Sequence, residues 1–77
     1  MNHMDKERIA IPLRAARLAA GLTQKQLAEA SGVTPRQIQK VEAGEIKAGN
    51  MTASNLLSIA DALGVDPRIL IQEEASA

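Results

Sequence analysis

Seventy-seven residues with nine basic and nine acidic side chains, hence a formal net charge of zero, make one small domain near the lower size limit for folding without staples. The absence of Cys excludes disulfides and thiolate metal sites, and the absence of Phe, Trp and Tyr weighs against single-strand and RNA binding modes that depend on base stacking. No apolar run is long enough to span a bilayer and Met1 to Asp5 lacks the start of a signal peptide, so a cytoplasmic protein with no membrane association is expected.

Residues 1 to 8 read as a mobile arm or expression remnant. A first helix is expected to start near Ala10 or Ile11, because Pro12 is tolerated in a first turn but not in a helix interior. It ends at Gly21, with Leu13, Ala16, Arg17 and Ala20 on its inner stripe. Thr23 then supplies an N-cap oxygen between Leu22 and Leu27, a hydrophobic staple, and Gln26 at N3 completes a capping box. The second helix runs from Gln24 to about Ala30, followed by Gly32, which can take positive φ.

Thr34 repeats the pattern between Val33 and Ile38, with Gln37 at N3 as a second capping box, and opens a third helix at Pro35 that ends before Gly44. Glu45 to Met51 form a loop. Thr52, between Met51 and Leu56, opens a fourth helix over Ala53 to Leu63 that stops at Gly64. Asp66, between Val65 and Leu70, opens a short last helix at Pro67 that frays into Glu73 and Glu74. The fold class is all-α, with five helices, a folded domain over residues 9–71 and a disordered tail over 72–77.

The two capped starts at Thr23 and Thr34 lie only eleven residues apart. Two brief helices joined by a tight turn form a unit that can present its second helix to a DNA groove. A steep crossing of this kind needs a small side chain at the contact, and Ala28 supplies it. Leu27, Ile38 and Val41 then share a core with Leu13, Leu56, Ile59 and Leu63. The outer side of the third helix is left with Pro35, Arg36, Gln37, Gln39 and Lys40, four of which donate hydrogen bonds. Charge is polarised along the chain: residues 1–50 carry eight Lys or Arg against five acids, and the remainder only Arg68 against four acids. A bipolar chain can set a basic face on phosphate while its acidic end faces away.

Residues 22–44, from Leu22 through Gln24, Leu27, Ala28, Gly32, Val33, Ile38, Val41 and Glu42 to Gly44, resemble the helix-turn-helix of the Cro/C1-type (XRE) family of repressors. The similarity extends through Asn50, Met51 and Thr52 and from Leu56 to Val65, covering about residues 9–71. It implies a compact five-helix bundle of the lambda-repressor-like type that binds a double-stranded DNA operator as a homodimer. It also implies base reading by Arg36 and Lys40, with Gln39 secondary and Gln37 capping or reading. Pro35 departs from the polar residue often found at its position, which narrows readout. Thr23, Gln24, Thr34, Lys47 and Asn50 fall at phosphate-contacting positions. Arg17 and Glu42 fall where the family pairs a salt bridge beneath the DNA-facing surface.

The expected function is sequence-specific regulation of transcription, as a repressor, with an antitoxin-like or coactivator-like interaction module as the alternative that the neutral charge favours. Catalysis finds no support: His3 stands alone, Glu73 and Glu74 are adjacent on the tail, and no glycine-rich phosphate loop exists. No metal, cofactor or small-molecule ligand is expected. Ile69, Leu70 and Ile71 form a consecutive apolar run that is read either as a dimer surface or as a cap on the core together with Ile9 and Ile11.

Overall fold

The computed structural model describes residues 11–72. The expectations for the arm at residues 1–8, including His3, for Ile9, and for Glu73 and Glu74 lie outside the described residues. Within them every regular element is helical: α1 (Pro12–Ala19), α2 (Gln24–Ser31), α3 (Pro35–Glu42), a 3-10 turn (Ala48–Asn50), α4 (Ala53–Leu63) and α5 (Pro67–Leu70). The 3-10 turn falls in the segment expected to be plain loop.

Four helix starts rest on the side chains that the sequence nominates. The hydroxyls of Thr23, Thr34 and Thr52 accept from the backbone N–H groups of Gln26, Gln37 and Asn55 at 3.0, 3.2 and 3.1 Å. Asp66 Oδ1 accepts from the Arg68 N–H at 2.9 Å. Such a cap satisfies an amide that has no acceptor inside the helix. The reciprocal bond of a capping box forms only at α2, where Thr23 N–H donates to Gln26 Oε1 at 2.9 Å. The second expected box does not close: Gln26 is exposed and folds back over its own first turn, whereas Gln37 is half-buried and leaves the Thr34 N–H alone.

Helix α1 starts without a side-chain cap, from Ile11, with Pro12 as its first residue. Ala20 does not belong to the inner stripe. It is the C-cap of α1, where the chain turns out of the helix, and its methyl group is exposed.

The core draws Leu13 from α1, Leu27 and Ala28 from α2, Ile38 and Val41 from α3, Ile59 and Ala60 from α4 and Leu70 from α5. Val33 and Met51, the residues preceding two of the caps, are also buried, so a staple fixes the entry angle of the chain and contributes to the interior at once. Of the three α4 residues expected at the centre, Ile59 is buried there, while Leu56 and Leu63 pack half-buried on its rim and Ala60 turns inward beside Ile59.

Candidate nucleic-acid interface

The angle between α2 and α3 is set in three residues. Gly32 takes φ +76°, and a methyl group added there would meet nothing within 4 Å, so backbone conformation rather than space demands glycine. Its N–H donates to Ala28 O at 2.8 Å, closing α2. Val33 follows, buried, with its N–H donating to Ser31 Oγ at 3.1 Å, and Thr34 caps α3.

This turn fixes the faces of α3. Ile38 and Val41 face the core; Pro35, Arg36 and Gln39 are exposed; Gln37 and Lys40 are half-buried. Arg36 and Gln39, three residues apart, are neighbours on the exposed side. Lys40 follows one turn after Arg36 and is half-buried.

Behind this surface lies the ion pair expected between Arg17 and Glu42. Arg17 Nε donates to Glu42 Oε2 at 2.7 Å and Nη2 donates to Oε1 at 2.9 Å, a two-pronged pair whose side chains are 10% and 5% exposed. The remaining Arg17 nitrogen, Nη1, donates to Leu22 O at 2.8 Å, so one guanidinium ties α1 to α3 and to the strand of chain that enters α2. Burial by itself would raise the Glu42 carboxyl, but hydrogen bonds from Arg17 and Gln24 and the nearby charges of Arg17 and Arg14 outweigh it and hold the group below its ordinary value.

Gln24 makes a hydrogen bond that the sequence did not reveal. Its Nε2 donates to Glu42 Oε1 at 3.0 Å, which leaves the carbonyl oxygen of its amide and the backbone N–H at the start of α2 for other partners. No local pattern signals this bond, because the two residues are eighteen positions apart and meet only through the crossing of α2 and α3.

The expected site residues separate into two neighbourhoods. Gln24 and Gln39 line a cleft of about 240 Å³ together with Arg14, Arg17, Glu42 and Ala43. Lys47 and Asn50, both exposed at the 3-10 turn, line a different hollow of about 400 Å³ with Ile11, Leu13, Leu70 and Ile71 among its walls. Thr23 and Thr34 are exposed, each with its hydroxyl engaged as a cap.

The apolar run at the end of α5 divides three ways. Leu70 is 1% exposed and part of the single-chain core, which removes it as a dimer residue. Its burial follows from its position four residues after the cap Asp66, where it completes the staple with Val65. Ile71 lies over the 3-10 turn, its Cγ2 3.8 Å from where a side chain at Gly49 would begin. Ile69, 41% exposed, points away from the core. Among the described residues no group of His, Cys, Asp or Glu is arranged to hold a metal ion, and no helix is long and apolar enough to cross a membrane.

Comparison with known proteins matches a family model described as helix-turn-helix over residues 13–70. Among solved structures the chain is similar to the restriction-modification controller protein C.AhdI from Aeromonas hydrophila, with 39% identity and a TM-score of 0.67, over 77% of this chain and 85% of that one. No curated protein sequence matches.

Proposed function

The chain belongs to the Cro/C1-like (XRE-type) helix-turn-helix family of DNA-binding transcription regulators, and on that premise we propose that it reads a specific double-stranded operator with α3 and acts there as a repressor. The observation that carries this reading is the exposed row of Arg36 and Gln39, flanked by Lys40, on a helix whose other side is locked into the core. Arginine donating to guanine O6 and N7 is the commonest specific contact in the major groove. Gln37, with no capping-box bond to make, adds a donor and an acceptor beside Arg36, and Pro35 offers only apolar contact.

Around this row Thr23, Gln24, Thr34, Lys47 and Asn50 contact phosphates and set the register without reading sequence. The protein acts as a homodimer, with Ile69 at the two-fold contact and half-sites about 34 Å apart on the duplex. The likeness to a restriction-modification controller protein supports a regulatory role for this chain.

Selection of binding sites from a random duplex library tests binding, symmetry and spacing together. Arg36→Ala is then expected to cost about 1 to 3 kcal/mol on the selected operator and to relax specificity at one base pair, whereas Lys47→Ala weakens all sequences alike. Equal losses for Arg36→Ala on operator and random DNA would contradict base reading by that residue. The interaction-module alternative, favoured by the zero net charge, predicts no selected sequence and little salt dependence.

A further inference from the structure

We propose that Arg14 is a DNA-backbone contact, a guanidinium at the cleft between α1, α2 and α3 that binds one phosphate beside the base-reading row. The inference rests on the duplex-binding reading above and adds to it a residue outside the helix-turn-helix unit.

Arg14 and Arg17 are three residues apart on α1 and therefore neighbours on its surface. Their environments differ. Arg17 is buried and spent on Glu42 and Leu22 O, whereas Arg14 is exposed and, among the described residues, makes no ion pair. Arg17 thus fixes α1 against α3, and the same fixation carries Arg14 to the edge of the cleft that it lines with Gln24 and Gln39.

The chemistry of that cleft suits an anion. Its carboxylate, Glu42, accepts from Arg17 at both oxygens and from Gln24 at Oε1, so its negative charge is offset by the guanidinium it faces. Two guanidinium groups against one carboxylate leave the cleft with a net positive charge. Arg14 lines the cleft from α1, which sets its side chain on this side of the helix. Gln39, a neighbour of Arg36 on the exposed side of α3, lines the cleft from that helix, so a duplex engaged by Arg36 brings its backbone to this place. Gln24 enters from α2 as the first residue of that helix, with a backbone N–H that has no intrahelical acceptor.

The test measures affinity of the full chain and of Arg14→Gln for the selected operator and for duplexes in which one backbone phosphate at a time is replaced by a neutral methylphosphonate. At one position per half-site the replacement is expected to weaken the unsubstituted protein roughly tenfold, the scale of one charge-assisted hydrogen bond. Arg14→Gln, which removes the contact from both subunits, should lose about the square of that factor, roughly a hundredfold, on unmodified DNA and nothing further at either of those positions. Its slope of log affinity against log salt should be shallower by about 1.8, about 0.9 for each of the two contacts, and its preference for operator over random DNA unchanged. A melting temperature equal to that of the unsubstituted chain shows that the loss is not one of folding.

Uniform losses at every methylphosphonate would make Arg14 a diffuse charge and overturn the proposal, as would affinity for unmodified DNA equal to that of the unsubstituted chain. Absence of any binding by the unsubstituted chain would instead bring down the functional reading itself, and Arg14 with it.

Discussion

Two arginine–carboxylate pairs, Arg17 with Glu42 and Arg68 with Asp66, have nearly the same closest approach, 2.7 and 2.8 Å, yet they do different things for the molecule. The first joins residues twenty-five positions apart inside the bundle, and the second joins residues two apart at the start of α5, with side chains 84% and 43% exposed. Contact distance is therefore a poor guide to importance. A buried pair, once formed, makes each partner indispensable, because removing one strands the other charge away from water; an exposed pair exchanges its partner for solvent at little cost. The region that presents α3 is fastened by the first kind of contact, whereas the second kind only accompanies the start of α5, whose hold on the core is Leu70.

The largest expected effect is on the buried pair. Arg17→Met should lower the unfolding free energy by about 3 to 5 kcal/mol in a denaturant titration, because Glu42 is left buried without its principal donor. Glu42→Leu added to it should recover much of that loss, so the double-mutant cycle is strongly non-additive. Additive losses would break the comparison, since they would mean that the two side chains do not act as a unit.

Acid comes next and separates the pairs by pH. Glu42 is held below its ordinary value of 4.5, so the stability it contributes is complete above that value and is lost as pH falls through the lowered one. In the Arg17→Met, Glu42→Leu double variant this part of the acid sensitivity should vanish. Asp66, held at about 2 chiefly by hydrogen bonds from Arg68, keeps its charge until the pH is well below its ordinary 3.8. An NMR titration in which Glu42 and Asp66 are followed separately checks both directions.

The smallest effect is expected from Arg68→Ala. The Asp66 carboxyl should rise toward 3.8 while the melting temperature hardly moves, because Asp66 can still accept from the backbone N–H at position 68. A destabilisation as large as that of Arg17→Met would erase the distinction between the two regions.

The helix starts were legible in the sequence because capping is local chemistry. A short polar residue at a fixed offset from two apolar ones decides its own hydrogen bond, and Thr23, Thr34, Thr52 and Asp66 all do so. The span of α4, bracketed by Thr52 and Gly64, is as expected for the same reason. What depends on how helices meet was less legible. Whether Gln37 closes its box, whether Leu56 or Ala60 faces inward, and which of Ile69, Leu70 and Ile71 is buried are settled by packing, not by neighbours in the chain. In the candidate site, the exposure of Pro35, Arg36 and Gln39 could be picked out from periodicity, whereas Gln37 and Lys40 are half-buried. Gln24 bonded to Glu42, and Arg14 at the same cleft, required the crossing of three helices to be known.

The burial of Leu70 against the same interior as Leu13 means that the first and last helices close a ring around the core. No helix is then an outer layer that can peel away while the others persist: lifting the final turn exposes the inner side of the opening one, and that helix in turn is what Arg17 fastens to α3. Unfolding is accordingly expected to be a single concerted event, in which the exposed face of α3 persists or disappears together with the rest of the bundle.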